Sequence, residues 1–309
     1  MELVVALIVT LVTAPLVRRV AIRLGIVDHP GPLKTHRAPV PYLGGVAVFL
    51  GLVVGPIDAG RTLLLLPYLG ALALGVADDA MSLTPRMRLG AEALIGVAGA
   101  AVVPGPPLVR IGTAVLVVVL LNAVNLLDGQ DGLAAGVCIV SATAFAILGG
   151  DATAVGLALA GALAAFLVFN APPARMYLGD GGAYLVGTVL ATLPALTRHG
   201  GTDWSVWIAA PLIVGVPLAD TAIAILRRRL EHRPVLLGDR SHVYDQLVDR
   251  GWRVEASTAA CVVVQGVIAA LGVLAAGLDV QVAAGIAAAT VIAVVALAAT
   301  GGFLGRATA

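Results

Sequence analysis

Charged residues are scarce in this chain. They make up 12% of its 309 residues, whereas a soluble domain averages about 25%. Hydrophobic residues account for 60% of the sequence, and the mean hydropathy is +1.01. The sequence contains no stretch that reads as a soluble domain, a low-complexity tract or an internal repeat. This composition excludes an ordinary soluble enzyme and is typical of a polytopic membrane protein.

Cysteine and lysine are also nearly absent. Cys138 and Cys261 each lie alone in an apolar run, which is typical of small buried residues and argues against a disulfide or a thiolate site. Lys34 is the only lysine beside eighteen arginines. The net charge is only +1, and membrane topology accounts for the basic residues, so no nucleic-acid partner is expected.

Apolar runs of transmembrane length, separated by short polar breaks, fill most of the chain. A helix needs about 20 apolar residues to cross a hydrocarbon core, and these runs are continuous rather than alternating as in barrel strands. We therefore predict an all-α membrane bundle of about ten to eleven transmembrane helices, forming one domain over residues 1–309. The predicted spans are 3–20, 43–57, 62–77, 89–103, 112–127, 133–148, 153–169, 182–197, 204–226, 256–276 and 280–300.

Basic residues fall almost entirely on one side of these spans. With the N-terminus outside, only Arg61, Arg110 and Arg198 of the nineteen basic residues lie in outer segments. Because positive charge marks the cytoplasmic side, we predict this orientation. Glu2, in place of a basic leader, favours a retained anchor over a cleaved signal peptide. The predicted cytoplasmic loops are about 21–42, 78–88, 128–132, 170–181 and 227–255.

Aspartates recur at the predicted inner ends of the spans, as Asp78-Asp79, Asp128, Asp131 and Asp180. A carboxylate near hydrocarbon costs roughly 2.5–3.5 kcal/mol on insertion scales, so each is a candidate functional residue. If they meet at one face, they form a polyanionic site that requires a metal ion or a cationic substrate. Adjacent side chains on a helix diverge by about 100°, so one of the paired aspartates could bind a metal while the other accepts a proton.

The most informative segment reads Asn122-x-x-Asn125-x-x-Asp128-Gly-Gln-Asp131-Gly. Polar residues three apart drift by about 60° per step, so the first three share roughly one third of the helix circumference. The glycines that follow can turn the chain and bring Asp131 alongside. Amides combined with carboxylates suit a nucleobase or a ribose.

Asp180 lies between two glycines at the start of a span, after Pro172-Pro173 ends the preceding helix. This position suits a Mg²⁺ ligand that bridges phosphate oxygens, although a simple N-cap is the alternative. Arg240 and His242 could meet a diphosphate, unless they belong to a solvated surface helix. Arg37 lies in a proline-rich loop beside further cations.

Together, these segments resemble the polyprenyl-phosphate N-acetylhexosamine-1-phosphate transferases, in order, over about residues 28–250. The paired aspartates, the Asn122 to Asp131 motif, and the stretch from Asn170 to Leu178-Gly-Asp180 each match a motif of that family. Pro217-x-x-Asp220-Thr, followed by Arg228, also fits.

The resemblance implies that Asp180 binds Mg²⁺, with Mn²⁺ as an alternative. It implies that Asp78 or Asp79 helps bind metal or deprotonates the lipid phosphate. The substrate-binding residues expected from the motifs and the resemblance are Arg37, Asn122, Asn125, Asp128, Asp131, Asn170, Tyr177, Arg240 and His242. The implied reaction transfers an N-acetylhexosamine-1-phosphate from a UDP-sugar to undecaprenyl or decaprenyl phosphate and releases UMP. This reaction would start cell-envelope glycan synthesis at the bacterial plasma membrane. Whether the protein forms a homodimer is left open.

Two positions depart from the family pattern. The usual His-x-His-His loop reads His242-Val-Tyr244-Asp245, and the Gly-Ser after the metal aspartate reads Gly182-Ala183. These departures argue against peptidoglycan lipid I synthesis, and the proline-rich loop with Asp239-Arg240-x-His242 also favours the N-acetylglucosamine branch. An unusual N-acetylated hexose donor and reduced activity are the open alternatives. An intramembrane prenyltransferase is a weaker alternative because Asp78-Asp79 lacks its later acid. A transporter would place ionisable residues near mid-bilayer rather than at one face.

Overall fold

Helices form almost all of the regular structure in this computed structural model, which describes residues 1–29, 39–201, 203–234 and 240–305. The helices are α1 (Glu2–Leu24), α2 (Gly44–Leu52), α3 (Val54–Asp58), α4 (Leu65–Met81), α5 (Pro85–Val102), α6 (Pro107–Leu127), α7 (Leu133–Ile147), α8 (Asp151–Asn170), α9 (Gly179–Leu196), α10 (Trp204–Ile213), α11 (Gly215–Leu230), α12 (Val243–Asp249), α13 (Val254–Ala276) and α14 (Val280–Thr300). A two-residue antiparallel ribbon pairs β1 (Val27–Asp28) with β2 (Val40–Pro41). Apart from this ribbon, the all-α prediction is confirmed.

Each predicted span coincides with one helix or with two consecutive helices. Within the described residues, six helices are long and apolar enough to cross a membrane, and α10 with α11, bent by 70°, would make a seventh. α7 and the α2–α3 pair are apolar but shorter. The helices therefore support a multi-pass membrane protein. The ten to eleven crossings, the outside N-terminus and the extent of the single domain stay predictions.

α9 lies at the centre of the bundle, where every residue from Gly181 to Leu196 is buried. It packs mainly between α4 and α6, with α2 and α8 also against it. Gly75 of α4 lies against the backbone of Asp180, and a Cβ at this glycine would collide with that backbone. The glycine thus permits a close approach that brings the C-terminal end of α4 beside the first turn of α9.

The bend between α10 and α11 is stabilised by a side chain from α13. Gln265 is fully buried; its Nε2 donates to the carbonyl oxygen of Ile213 at 2.6 Å, and its Oε1 accepts from the Val216 N–H at 2.8 Å. A break in a membrane helix is tolerated where protein groups satisfy the freed backbone atoms. Gln265 therefore fixes the direction in which α11 leaves the bend.

Replacing Gln265 with leucine is expected to destabilise the fold. The substitution leaves a buried carbonyl and a buried N–H without partners, at about 1–3 kcal/mol each. Unfolding in detergent, followed by circular dichroism, should show this loss for Gln265→Leu but not for Gln281→Leu, whose glutamine is exposed on α14. Equal stability of the two variants would contradict the role given to Gln265.

Candidate active site

The polar segments converge on a cavity of about 760 Å³. It lies where the C-terminal ends of α4, α6 and α8 meet the first turns of α9 and α12. Most of the predicted site residues line it, namely Asp78, Asp79, Asn125, Asp128, Asp131, Asn170, Tyr177, Asp180, Arg240 and His242. Of the other two, Arg37 lies outside the described residues, and Asn122 is not part of the cavity wall.

Asp79, Asp128 and Asp180 form what we call the acidic centre of the cavity. The backbone N–H of Asp180 donates to Oδ1 of Asp79 at 3.3 Å, and Nδ2 of Asn125 donates to Oδ1 of Asp180 at 3.1 Å. Gly179, which precedes Asp180, has a φ of 74°. This left-handed conformation starts α9 directly beside the Asp79 carboxylate. Three helices thus deliver three carboxylates to one region.

Asp128 is the unpaired member of the acidic centre. Its half-buried carboxylate has no hydrogen bond or ion pair within the part of the chain that the structure describes. Burial raises its pKa well above the ordinary value, and the negative charges of Asp180, Asp79 and Asp131 raise that pKa further. A cation nearby would stabilise the charged form of this carboxylate.

The ligand atoms of the acidic centre are all oxygens, as Mg²⁺ prefers. Among residues 1–29, 39–201, 203–234 and 240–305, no three His, Cys, Asp or Glu side chains are grouped as a ready-made metal site. Mg²⁺ is usually bound by one or two carboxylates together with water and substrate phosphates. The acidic centre therefore fits a metal that is bound jointly with a phosphate substrate.

Asp78 differs from its neighbour because the protein already satisfies it. Its carboxylate is buried; Oδ1 accepts from the Leu83 N–H at 2.8 Å, and Oδ2 accepts from the Tyr184 hydroxyl at 2.9 Å and from Nη1 of Arg88 at 3.3 Å. The two side chains of the Asp-Asp pair diverge, as helix geometry predicts. Asp79 faces the acidic centre, and Asp78 joins α4 to α5 and α9.

Asn122 precedes Asn125 by about one turn of α6 and lies outside the cavity wall. Its Nδ2 donates to Oε2 of Glu92 at 2.7 Å and to the carbonyl oxygen of Val118 at 2.9 Å. The drift along α6 explains the placement, because two steps of about 60° separate Asn122 from Asp128 and turn it towards α5. The structure thus gives Asn122 a protein partner, and a contact with substrate stays a prediction.

Asp131 and Asn170 join two loops at the cavity wall. Asp131 Oδ2 accepts from the Ala174 N–H at 2.9 Å. Asn170 is buried; its Oδ1 accepts from the Gly132 N–H at 3.0 Å, and its Nδ2 donates to the carbonyl oxygen of Met176 at 3.1 Å. These bonds hold the turn after α6 against the segment before α9, so both residues shape the wall that a ligand would meet.

Tyr177 and Tyr42 border the same wall, with their ring centroids 6.2 Å apart. Burial raises the pKa of the Tyr42 hydroxyl, and a hydrogen bond to Asp28 raises it further. Tyr42 and Asp28 were not among the predicted site residues. Both residues flank the proline-rich loop that contains Arg37. This position in the sequence was the signal that they border the site.

His242 is fixed by Asp220, which lies on α11. Its Nδ1 is 2.6 Å from Oδ2 of Asp220, whose Oδ1 accepts from the Val243 N–H at 2.8 Å. The imidazole stacks on Tyr244 at 5.5 Å between centroids, and the Tyr244 hydroxyl donates to the carbonyl oxygen of Leu126 at 2.9 Å. With Nδ1 engaged, Nε2 is the ring nitrogen that remains for a ligand in the cavity.

Tyr244 and Asp245, which replace the usual histidines of the loop, have protein partners. Asp245 is buried and forms an ion pair with Arg240 at 3.6 Å. Burial raises the pKa of Asp245, and the positive charge of Arg240 opposes this shift. Tyr244 and Asp245 therefore stabilise α12 and hold Arg240 at the cavity, rather than supplying the two cations of the usual loop.

Arg88 is a cation at the cavity that the sequence motifs did not predict. It lines the cavity and lies between two carboxylates, Asp78 on α4 and Glu92 on its own helix. In the sequence, Arg88 was attributed to the excess of basic residues on the cytoplasmic side and was given no further role. Glu92, an acid inside an apolar run four residues later, was the signal that this region contains functional residues.

Part of the chain matches a known protein family. Residues 62–197 match the model of glycosyl transferase family 4. This stretch includes α4 to α9 and all three carboxylates of the acidic centre.

Curated relatives extend the match over most of the chain. A Bacillus subtilis protein named "Probable undecaprenyl-phosphate N-acetylglucosaminyl 1-phosphate transferase" is 30% identical over 276 residues, covering 80% of this chain and 76% of the relative. The decaprenyl-phosphate N-acetylglucosaminephosphotransferase of Mycobacterium tuberculosis is 28% identical, covering 80% and 74%. The phospho-N-acetylmuramoyl-pentapeptide-transferase of Moorella thermoacetica is 33% identical, covering 73% and 81%. The family predicted from the motifs is thus confirmed, and the chain belongs to glycosyl transferase family 4, the polyprenyl-phosphate N-acetylhexosamine-1-phosphate transferases.

Proposed function

We propose that this protein transfers N-acetylglucosamine-1-phosphate from a UDP-sugar to a polyprenyl phosphate and releases UMP. The observation that carries the proposal is the acidic centre, where the unpaired Asp128 lies among other carboxylates at the ends of membrane helices. Relatives named for undecaprenyl and decaprenyl phosphate support the choice of acceptor.

In the proposed reaction, an oxygen of the lipid phosphate attacks the sugar-bearing phosphorus of the donor. A new P–O bond forms, the P–O bond to UMP breaks, and UMP leaves with the electron pair. Attacker and target are both anions, and like unit charges 6 Å apart repel by about 3 kcal/mol at an effective dielectric constant of 20. Arg88, Arg240 and His242 line the cavity and are the described groups that would offset this repulsion.

We propose that Asp180, with Asp128, holds Mg²⁺, and that Mn²⁺ can replace it. When bound, the metal would neutralise charge on the phosphate oxygens. Asn125 orients Asp180 by donating to its Oδ1, and the Asp180 N–H orients Asp79. The Asp79 carboxylate is the member of the paired aspartates that is placed to take a proton from the lipid phosphate.

The donor nucleoside would lie against the wall formed by the Asn125 to Asp131 turn and Tyr177. The hydrogen bonds of Asp131 and Asn170 keep this wall rigid before the ligand arrives. A planar base can pack against the Tyr177 ring, and the Asn125 amide and Asp131 carboxylate supply polar edges. Such preorganisation lowers the entropic cost of binding.

The membrane location follows from the acceptor. Its lipid tail stays in the bilayer while its phosphate reaches the cavity at the helix ends. The distribution of basic residues supports a cavity on the cytoplasmic side of the bacterial plasma membrane. The product, a lipid diphosphate sugar, would be a precursor of a cell-envelope glycan.

A second donor follows from one of the relatives. The Moorella thermoacetica protein is named for the phospho-N-acetylmuramoyl-pentapeptide, the donor group of lipid I synthesis. The His242-Val-Tyr244-Asp245 loop disfavours that donor here, because Asp245 and Tyr244 add a negative charge and a phenol where the pattern has two histidines. N-acetylglucosamine therefore remains the proposed sugar.

Purified protein with Mg²⁺, polyprenyl phosphate and UDP-N-acetylglucosamine is expected to release UMP and form the lipid diphosphate sugar. A chelator should stop turnover, and added Mg²⁺ or Mn²⁺ should restore it, because phosphate repulsion is then offset again. UMP is measured by chromatography, and the lipid product by mass spectrometry.

The same assay separates the two donors. A panel containing UDP-N-acetylglucosamine, other UDP-N-acetylhexosamines and UDP-N-acetylmuramoyl-pentapeptide identifies the sugar from the product mass. Product from the pentapeptide donor alone would replace N-acetylglucosamine in the proposal. Folded protein that turns over none of the panel would overturn the proposed function.

A further inference from the structure

Glu92 is a buried carboxylate inside an otherwise apolar part of α5, with 1% of its side chain exposed. It does not line the cavity, and the reaction proposed above makes no use of it. Burying a carboxylate in a membrane helix is costly, and apolar packing would fill the same space without that cost. Its partners show what it does.

Glu92 connects α5 to α6 behind the cavity wall. Its Oε2 accepts from Nδ2 of Asn122 on α6 at 2.7 Å, and its Oε1 lies 3.7 Å from Nε of Arg88, four residues earlier on α5. Oε1 accepts no hydrogen bond within the described part of the chain. Asn122 thus fixes one oxygen of Glu92 and turns the other towards Arg88.

Arg88 extends from this buried carboxylate to the cavity. Its Nη1 donates to Oδ2 of Asp78 at 3.3 Å, whereas its Nε is the atom nearest to Glu92. Asp78 in turn is fixed by Tyr184 and by the Leu83 N–H. Two carboxylates, one near Nε and one near Nη1, therefore restrain the guanidinium, while 36% of the Arg88 side chain stays exposed and the residue lines the cavity.

We infer that Glu92 is a positioning residue for the phosphate chemistry. Held by Asn122, it draws the Arg88 guanidinium into the plane in which it contacts Asp78 and presents its remaining N–H groups to a phosphate in the cavity. The inference rests on the proposed function for the identity of that phosphate. It also gives Asn122 a role, as the residue that orients Glu92.

Glu92→Gln tests this arrangement with little change in volume. The glutamine Oε1 can still accept from Asn122, but the charge that attracts Arg88 is lost. We expect Arg88 to react several-fold faster with phenylglyoxal, measured by peptide mass spectrometry, because its guanidinium is less firmly paired. We expect kcat to fall about tenfold, equivalent to about 1.4 kcal/mol of transition-state stabilisation, with KM for the UDP-sugar little changed.

Asp151→Asn is the matched control. It breaks the 2.7 Å ion pair between Asp151 and Arg61 at the other end of α8, about 30 Å from the cavity end of that helix. It should expose Arg61 to phenylglyoxal and leave both Arg88 labelling and kcat unchanged. Glu92→Asp, which keeps the charge, should recover part of the kcat lost in Glu92→Gln.

Two results would overturn the inference. One is an unchanged Arg88 labelling rate in folded Glu92→Gln, since Glu92 would then not hold Arg88. The other is faster labelling with an unchanged kcat, since the position of Arg88 would then not matter to the reaction. If the wild type turns over no UDP-sugar, the proposed function fails, while the labelling comparison still decides whether Glu92 holds Arg88.

Discussion

Asp180→Asn is expected to abolish turnover while the protein stays folded. Asp180 is at the first turn of the buried central helix, where Asn125 donates to its Oδ1 and its own N–H donates to Asp79. Asparagine keeps the size and the oxygen that faces Asn125, but it removes a negative charge from the acidic centre. Losing a ligand of this kind from a phosphoryl-transfer site should lower kcat by about 10³-fold or more, which is about 4 kcal/mol.

The experiment needs a readout besides activity. Binding of Mn²⁺ to the purified protein, followed by electron paramagnetic resonance in the presence of UDP, should weaken in Asp180→Asn because the metal loses a charged oxygen ligand. The thermal unfolding midpoint should stay near that of the wild type. Asp151→Asn serves again as the control, since it removes one carboxylate from the far end of α8.

Two outcomes would decide against this role for Asp180. Turnover within tenfold of the wild type would remove Asp180 from the chemistry. Loss of turnover with unchanged Mn²⁺ binding would keep Asp180 in the site but assign the metal to other residues of the acidic centre.

The position of the acidic centre could be predicted because it depends on local sequence. Apolar runs define the helices, and each aspartate stands where a run begins or ends, so Asp79, Asp128 and Asp180 were candidates to meet at one end of the bundle. Local rules of helix length and turn chemistry were sufficient for this part. The glycines beside Asp180 were visible in the sequence, but the close approach of Gly75 on α4 to the Asp180 backbone was not predicted.

The partners of each polar group could not be predicted, because they come from distant segments. Tyr184 meets Asp78 across 106 residues of sequence, and His242 meets Asp220 across 22. The span predicted over 204–226 is bent by 70° after α10, and the buried Gln265 that stabilises the bend lies on another helix. Periodicity shows that such groups are buried together, but not which of them face each other.

Asn122 shows most directly that spacing along a helix does not predict which partner a polar side chain faces. Its spacing from Asn125 and Asp128 suggested one shared polar face, yet the drift along α6 turns it towards Glu92. The spacing predicted a polar stripe, and the packing of α5 against α6 divided that stripe between the cavity and the space behind it.

The paired aspartates are expected to respond differently to the same substitution. Asp79→Asn should lower kcat by about 10²–10³-fold, because Asp79 faces the acidic centre and is placed to take the acceptor's proton. Its stability should be equal to or above that of the wild type, since one of several repelling carboxylates is removed. Activity and thermal unfolding of the same preparation measure both effects.

Asp78→Asn should instead lower the free energy of unfolding, by about 3 kcal/mol. Its new amide group can keep the bond from the Leu83 N–H, but it then presents a donor to the Tyr184 hydroxyl and to Arg88. Turnover should fall as well, because Arg88 loses one of the two carboxylates that hold it. If Asp78→Asn is as stable as the wild type and Asp79→Asn is not, the division of roles between the two aspartates is reversed, and Asp78 becomes the reacting carboxylate.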